Sequence, residues 1–173
     1  MIIGNKITLK LFETEKEIIQ FSKLYNDLSQ RALTDHNELS SVFNRIESFK
    51  ETGFWSTKSG NMMILNEEEK FIGTIGFSRV SEYELNIGYR LLVADQRGKG
   101  YMSESLTLFV KHMFETVPNI IRLSLHTASN NIPSKKLAEK CGFTFEGTLR
   151  QAYFYRGKHE DYDVYSLLRK EKK

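Results

Sequence analysis

A change of hydrophobic period near Asn61 limits what this chain of 173 residues can fold into. Three segments after it, at residues 62–65, 71–77 and 83–93, are continuously apolar or alternate between apolar and polar residues. Short polar turns separate the segments, and neighbouring strands joined in this way pair antiparallel. The sequence therefore predicts an antiparallel meander, whose third strand leads straight into a glycine-rich turn and a helix.

Strand and helix signals on either side of the meander complete the fold. Residues 6–12 alternate as a strand does, and Thr14 and Glu17 have the spacing of a capping box, which predicts a helix through about Leu28. Residues 30–39 are polar and without a period, and we interpret them as a loop. Later elements are a second helix at 42–52 ended by Gly53, a third ended by Pro118, a strand at 120–126, a fourth helix between Pro133 and Gly142, and two strands in 143–168 joined near Gly157.

These elements predict a single domain over residues 1–173 with an α/β (α+β) fold. We expect one mixed, mostly antiparallel central sheet flanked by about four helices. Hydrophobic residues make up 40% of the chain and charged residues 27%, which is typical of a globular protein. No repeat or linker-like stretch divides the sequence.

Composition also argues against several classes of protein. No apolar run reaches the roughly 18–20 residues that cross a bilayer, and the N-terminus lacks a signal peptide's features. The lone Cys141 has no cysteine with which to form an internal disulfide, so we expect a cytoplasmic protein without membrane contact. The net charge is only +3, and basic residues alternate with acidic ones, so we expect no nucleic-acid partner. His36, His112, His126 and His159 lack metal-ligand spacing, and we predict no metal.

The turn between the third meander strand and the following helix has the character of an anion site. Gly98 and Gly100 let the backbone approach a ligand closely, Arg97 and Lys99 add positive charge, and the helix start offers unpaired N–H groups. An ordinary connection with glycines at positive φ gives the same pattern. The turn lacks the Gly-Lys-Ser/Thr of a Walker loop, and Ser103 stands where a dinucleotide fingerprint needs its third glycine.

A third phosphate-binding pattern fits better. Residues 97–102 resemble the Gln/Arg-x-x-Gly-x-Gly/Ala turn that binds acetyl-CoA in GCN5-related N-acetyltransferases (GNATs). Met102 departs from that pattern, which has glycine or alanine there. Its side chain either narrows the pyrophosphate cradle or points into the core.

Other segments resemble further GNAT motifs, in family order and near family spacing. These are Gly73–Phe77, Ile87–Leu91, Asn131–Phe143, Glu146–Arg150 and Gly157–Leu168. The resemblance is to the RimJ/RimL-type branch, which acetylates protein N-termini and assorted small amines. It implies a GNAT-like acyl-CoA N-acyltransferase fold, in which two central strands splay apart around the cofactor's pantetheine arm.

The resemblance also implies which residues bind acetyl-CoA, the expected cosubstrate. The implied contacts are Leu91, Leu92, Val93, Gln96, Arg97, Gly98, Lys99, Gly100, Tyr101, Met102, Ser103 and Asn131.

Two residues are candidates for proton transfer. The resemblance places Ser134 where this branch has a hydroxyl that protonates the departing thiolate, although a first-turn serine also bonds locally in many helices. Relatives often carry a glutamate at the position of Asn86, which cannot accept a proton. Glu84 lies two residues earlier on the same side of the strand and is our candidate base, with a plain surface carboxylate as the alternative.

The acceptor implied by the resemblance is a primary amine. An α-amine has a pKa near 8, so roughly a tenth is neutral at pH 7, against about one part in a few thousand for lysine. A site without a strong base therefore favours a protein N-terminus, as on a ribosomal protein, over a lysine; a small-molecule amine stays open. Met102 and Asn86 favour an alternative, a catalytically silent acyl-CoA-binding or regulatory domain. Monomer and homodimer are both compatible with the sequence.

Overall fold

The computed structural model describes residues 1–32, 38–155 and 157–171. The four α-helices in this part of the chain are α1 (Glu15–Asn26), α2 (Val42–Thr52), α3 (Tyr101–Thr116) and α4 (Ile132–Lys140). The strands are β1 (Ile2–Ile3), β2 (Ile7–Leu11), β3 (Ser59–Asn66), β4 (Phe71–Arg79), β5 (Glu84–Leu91), β6 (Arg122–Ala128), β7 (Thr144–Tyr155) and β8 (Lys158–Leu168).

All eight strands form one sheet in the order β1-β2-β3-β4-β5-β6-β8-β7. Every pairing is antiparallel except that of β5 with β6, which is parallel. The α3 helix connects these two strands, as a parallel crossover requires. The predicted α/β fold with one mixed, mostly antiparallel sheet is therefore confirmed.

Helix boundaries follow the capping signals. Thr14 and Glu17 form the predicted capping box, with Glu17 N donating to Thr14 Oγ1 over 3.3 Å and Thr14 N donating to Glu17 Oε2 over 2.9 Å. The helix ends at Asn26, two residues before the predicted Leu28. Gly53 ends α2 at φ 62°, a left-handed conformation that glycine adopts without steric cost. The predicted loop at 30–39 includes residues 33–37, which lie outside the described residues, as do residues 172–173.

Helices cover both faces of the sheet. On one face, α3 buries Leu106, Phe109 and Met113 against Leu85 and Ile87 of β5. On the other face, a smaller aromatic cluster joins α1 and α2 to the sheet; its buried members are Phe12, Ile18, Phe21, Met63, Phe71 and Leu92. The strand β5 thus has a packed layer on each side, so residues that alternate along it reach two different environments.

A buried carboxylate fixes the segment that leads into α4. Asp163 on β8 is 2% exposed, and its carboxylate accepts from Ser129 Oγ (2.6 Å), Thr148 Oγ1 (2.7 Å) and Lys135 Nζ (2.6 Å). Burial acts to raise the pKa of Asp163, but the hydrogen bonds from Lys135, Ser129 and Thr148 outweigh it and hold that pKa below its usual value. The charged form of Asp163 therefore ties α4 to the sheet.

Replacing Asp163 with Asn should lower the free energy of unfolding by about 2 kcal/mol at pH 7, because Lys135 loses its buried partner. A carboxyl whose native pKa is depressed adds stability that is present above its unfolded pKa and lost as the pH falls through its native pKa. The deficit of D163N relative to the parent should accordingly shrink below about pH 4. Urea unfolding at pH 7 and pH 3 measures both effects.

Asp161 is the matched control, since it lies two residues earlier on β8 and is exposed, and its carboxylate accepts from the backbone N–H of Gln151 over 2.9 Å. We expect D161N to change stability by less than about 0.5 kcal/mol. Equal deficits for D161N and D163N at pH 7 would contradict the role given to Asp163.

Candidate active site

The parallel strands β5 and β6 pair over only three residues. Glu84, Leu85 and Asn86 are in register with Arg122, Leu123 and Ser124, and the pairing stops there. Both strands continue beyond this point, β5 to Leu91 and β6 to Ala128. From Ile87 onward the edge of β5 that faces β6 has no strand partner, so its backbone groups can bond to a ligand. This is the splay that the family resemblance implies.

The glycine-rich turn begins where β5 ends. After a 3₁₀ turn at Ala94–Gln96, Gly98 has φ 76° and Gly100 has φ 89°, and Gly100 is the N-cap of α3. A Cβ atom built on either glycine meets no atom within 4 Å. Glycine is therefore required here by the backbone conformation, and open space lies in front of the turn. The α3 helix has 16 residues and directs its free N–H groups and positive end toward this space.

The polar side chains of the turn are held in different ways. Arg97 Nη2 donates to the carbonyl oxygen of Gln30 and, over 3.3 Å, to that of Leu91. These bonds attach the turn to the segment after α1 and to the end of β5. Gln96 Nε2 donates to Asp95 Oδ1 over 2.8 Å. Lys99 is exposed beside the two glycines. Of these side chains, Lys99 is placed to meet an anion without first breaking one of these contacts.

Residues at the start of α3 direct their side chains away from the turn. Tyr101 donates its hydroxyl to Glu67 Oε2 over 2.8 Å, and this bond raises the pKa of Tyr101. Met102 is 9% exposed and belongs to the main core, so it does not narrow the cradle. Ser103 Oγ lies 3.9 Å from Cys141 Sγ. Only the backbone of Tyr101 and Met102 is therefore available to a ligand. Because the Met102 side chain lies in the core, it no longer favours a catalytically silent acyl-CoA-binding domain.

Two hydroxyl groups meet across the space between α4 and β5. Ser134 Oγ lies 2.8 Å from the hydroxyl of Tyr89, and Asn131 Oδ1 caps α4 by accepting from Ser134 N over 3.3 Å. Burial raises the pKa of Tyr89 to about 12, with the Ser134 bond acting against it, so this phenol stays protonated near neutral pH. Ser134 thus bonds across the site rather than locally. Tyr89 was not among the predicted site residues, although the alternation of β5 puts it on the side of α3 and α4.

The candidate base lies in an ion pair. Glu84 Oε1 is 3.4 Å from Arg122 Nε, and Arg122 Nη1 is 3.2 Å from Glu146 Oε1. Asn86 Nδ2 donates to Ser124 Oγ over 3.3 Å, at the last paired position before the strands part. The role of Glu84 as a base stays a prediction.

A cavity of about 550 Å³ opens on the opposite face of β5, beneath α1 and α2. It is lined by Phe21, Tyr25, Arg45, Ser48, Thr52, Phe54, Ser59, Gly60, Asn61, Thr74, Gly76, Phe77, Ser78, Asn86, Gly88, Tyr89 and Arg90. Tyr89 belongs both to the cavity lining and to the hydroxyl pair, so the cavity lies next to the Tyr89–Ser134 contact. The sequence offered no motif for this region, and we refer to it as the acceptor cavity.

Two structural absences hold for the part of the chain that the structure describes. No three His, Cys, Asp or Glu side chains within it are grouped so that they could hold a metal ion; His36 lies outside the described residues. Every helix within it is too short or too polar to cross a bilayer.

The proteins to which this chain is similar include several acetyltransferases. The family model of the acetyltransferase (GNAT) domain matches residues 6–144. An uncharacterised N-acetyltransferase of Bacillus licheniformis, p20, is 27% identical over 80% of this chain and 78% of its own length. The ribosomal-protein-serine acetyltransferase of Escherichia coli is 29% identical over 62% of this chain and 60% of its own length. The structure of a Vibrio cholerae spermidine N-acetyltransferase with CoA and spermine superposes with a TM-score of 0.83 at 18% identity, covering 98% of this chain and 99% of that one.

Valine at position 98 or 100 should raise the Kd for acetyl-CoA at least about tenfold, because a β-branched residue resists the positive φ and fills the open space before the helix. Isothermal titration calorimetry measures this directly.

Gly157→Val is the matched control, since Gly157 has φ 79° and the same open space but lies in the β7–β8 turn. It should carry a similar backbone strain and leave the Kd within about twofold. Unchanged acetyl-CoA binding in folded G98V and G100V proteins would remove the turn from the site.

Proposed function

Since the chain belongs to the GNAT acetyltransferase family, we propose that it transfers the acetyl group of acetyl-CoA directly to a primary amine. The enzyme is an acetyl-CoA-dependent N-acetyltransferase, and acetyl-CoA is its cosubstrate. The finer assignment to the RimJ/RimL-type branch is supported by similarity to the ribosomal-protein-serine acetyltransferase.

The proposal depends mainly on one structural feature, the point at which β5 and β6 separate. The edge of β5 loses its partner after Asn86 and ends at a turn whose glycines leave a helix N-terminus open. Backbone groups of an unpaired edge suit an extended amide-bearing arm, and the helix N-terminus suits a pyrophosphate. The two features follow each other along the chain, as the pantetheine and pyrophosphate parts follow each other in CoA.

The chemistry requires a neutral amine, a polarised carbonyl and a proton for the leaving sulfur. A C–N bond forms as the amine attacks the thioester carbonyl, and the C–S bond breaks. Ser134 donates its hydroxyl proton to the departing sulfur, and Tyr89, which stays protonated near neutral pH, is placed 2.8 Å away to replace that proton. No covalent enzyme intermediate is needed, so the half-buried Cys141 has no catalytic part.

The attacking amine must also lose a proton. Glu84 remains our candidate base, acting through water, because it lies on the same face of β5 as the cavity residues Asn86 and Arg90. Asn86, which stands where relatives often carry a glutamate, cannot accept a proton, so the site favours amines that are already partly neutral. We therefore propose a protein N-terminal α-amine, or a small-molecule amine of comparably low pKa, as the acceptor.

Ser134→Ala should lower kcat by about 10²-fold, because the thiolate then leaves without a positioned proton donor. The KM for acetyl-CoA should stay within about twofold, since only the transition state loses an interaction. Steady-state release of free CoA, followed with a thiol reagent, gives both constants.

The Tyr89→Phe variant separates the two hydroxyls. It keeps Ser134 and removes the relay, so its kcat should fall less than that of S134A. If S134A retains full kcat, the assignment of Ser134 as the acid is wrong; if Y89F is the slower of the two, the acid is Tyr89.

An N-terminal peptide with a free α-amine should be acetylated faster than its N-blocked, lysine-bearing counterpart at pH 7, by roughly a few hundredfold in kcat/KM, the ratio of their neutral fractions. The lysine peptide should gain about tenfold in rate per pH unit up to pH 9, while the α-amine rate levels off near pH 8. A preference for the lysine peptide at pH 7 would contradict the assignment.

A further inference from the structure

One glutamine just after the first helix reaches across to the glycine-rich turn. Gln30 is the last residue of the short 3₁₀ turn Leu28–Gln30, and it lies 64 and 67 positions before the two residues that it contacts there. Its side-chain Oε1 accepts from the backbone N–H of Ala94 over 2.8 Å, and its carbonyl oxygen accepts from Arg97 Nη2. Gln30 therefore bonds to both ends of the segment that leads into Gly98.

The bond to Ala94 supplies a cap that the local sequence lacks. Ala94–Gln96 is a 3₁₀ turn, and the first N–H groups of such a turn have no partner inside it. Val93 precedes it at the N-cap position and has no side-chain oxygen to accept from them. Gln30 accepts from the first of these N–H groups instead. The orientation of the backbone that precedes Gly98 thus depends on a side chain from another element.

Gln30 is itself fixed relative to the wall of the acceptor cavity. Its N–H donates to Asp27 O over 3.2 Å, and the Asp27 carboxylate caps the Leu28–Gln30 turn by accepting from Ser29 N over 3.0 Å. This turn follows directly on α1, which contributes Phe21 and Tyr25 to the lining of the acceptor cavity. Helical and 3₁₀ hydrogen bonds therefore connect the cavity wall to the residue that holds the glycine-rich turn.

We propose that Gln30 is a positioning residue, which holds the glycine-rich turn in the conformation that binds acetyl-CoA and links that turn to the acceptor cavity. This inference rests on the proposed function, since it takes the turn as the site of the pyrophosphate. A turn that is already oriented loses less conformational entropy when the cofactor binds, so the affinity is higher. Binding at one end of a hydrogen-bonded connection also restricts motion at the other end, and such coupling is reciprocal.

The contributions of the Gln30 side chain and backbone can be separated. Arg97 donates to the carbonyl oxygens of Gln30 and Leu91, and neither bond needs the glutamine side chain. The bond from Ala94 N, by contrast, requires an accepting atom at the end of that side chain. Methionine has nearly the length of glutamine but a weakly accepting sulfur, whereas glutamate keeps an oxygen at the same reach. Substituting each of these at position 30 therefore tests this one bond.

Gln30→Met should raise the Kd for acetyl-CoA about fivefold, the loss expected from one hydrogen bond of ordinary strength, whereas Gln30→Glu should stay within about twofold of the parent. Isothermal titration calorimetry at physiological ionic strength, which screens the charge that glutamate adds, measures both. A Q30M protein that binds as tightly as the parent would overturn the proposal, and so would a Q30E protein that binds as weakly as Q30M.

Gln20→Met is the matched control, because Gln20 is exposed on α1 and takes no part in the bonds that Gln30 makes to the turn. Its Kd should stay within about twofold of the parent, and a loss equal to that of Q30M would overturn the assignment to Gln30.

Amide hydrogen exchange, followed by NMR, tests the link between the two sites without turnover. In the ligand-free parent the amide of Ala94 should exchange about fivefold more slowly than in Q30M, because the variant lacks a strong acceptor for it. Acetyl-CoA should slow the exchange of the Gln30 and Arg31 amides, which both form 3₁₀ hydrogen bonds, in the parent but not in Q30M. Equal exchange of these two amides with and without acetyl-CoA in the parent would overturn the link.

Kinetics and binding together separate this inference from the proposed function. With an N-terminal peptide as acceptor, Q30M should raise the KM for acetyl-CoA about fivefold and leave kcat within about twofold, since the lost bond holds the turn and not a reacting group. A protein that acetylates no amine, yet shows the predicted changes in Kd and exchange, would contradict the proposed function and support the role of Gln30. A protein that transfers acetyl groups, while its Q30M variant binds acetyl-CoA as the parent does, would overturn the role of Gln30 alone.

Discussion

The parting of β5 from β6 after three paired residues is the constraint on which the site depends. A sheet normally pairs every backbone group, and unpaired groups are tolerated only where water or a ligand can reach them. The separation is stabilised from both sides, because β4 pairs along β5 as far as Leu91 and β8 pairs along β6 as far as Ala128. The opening is therefore built into a continuous sheet and does not require a flexible segment. The turn, the hydroxyl pair and the acceptor cavity all adjoin it.

The sequence predicted most of the fold, because the signals that define it are local. The capping box at Thr14, the αL glycine after α2 and the alternation in the meander each act over a few residues, and each is found where it was expected. The order of the strands was not predicted in full. The placement of β8 between β6 and β7 depends on contacts between distant parts of the chain, which no local period encodes.

The site was predicted less completely, for the same reason. The spacing of Gly98 and Gly100 was enough to predict the turn, and the motif around Ser134 was enough to predict that residue as a candidate. By contrast, Tyr89 matters only because α4 brings Ser134 to 2.8 Å from it, 45 positions later in the chain. The contacts of Arg31, Arg45 and Arg90 with the ring of Tyr25 are harder still to predict, since these arginines share no motif and meet only in the folded chain. Met102 looked anomalous because a motif describes the turn's backbone and does not say where a side chain points.

The lining of the acceptor cavity also bears on how the amine loses its proton. A positive environment favours the neutral form of an amine, because a second cation near an ammonium group is repelled. The cavity has no carboxylate among its described lining residues, so it withholds a partner that would hold the amine protonated. With Asn86 where relatives often carry a glutamate, a lowered pKa of the bound amine would do part of the work of a general base.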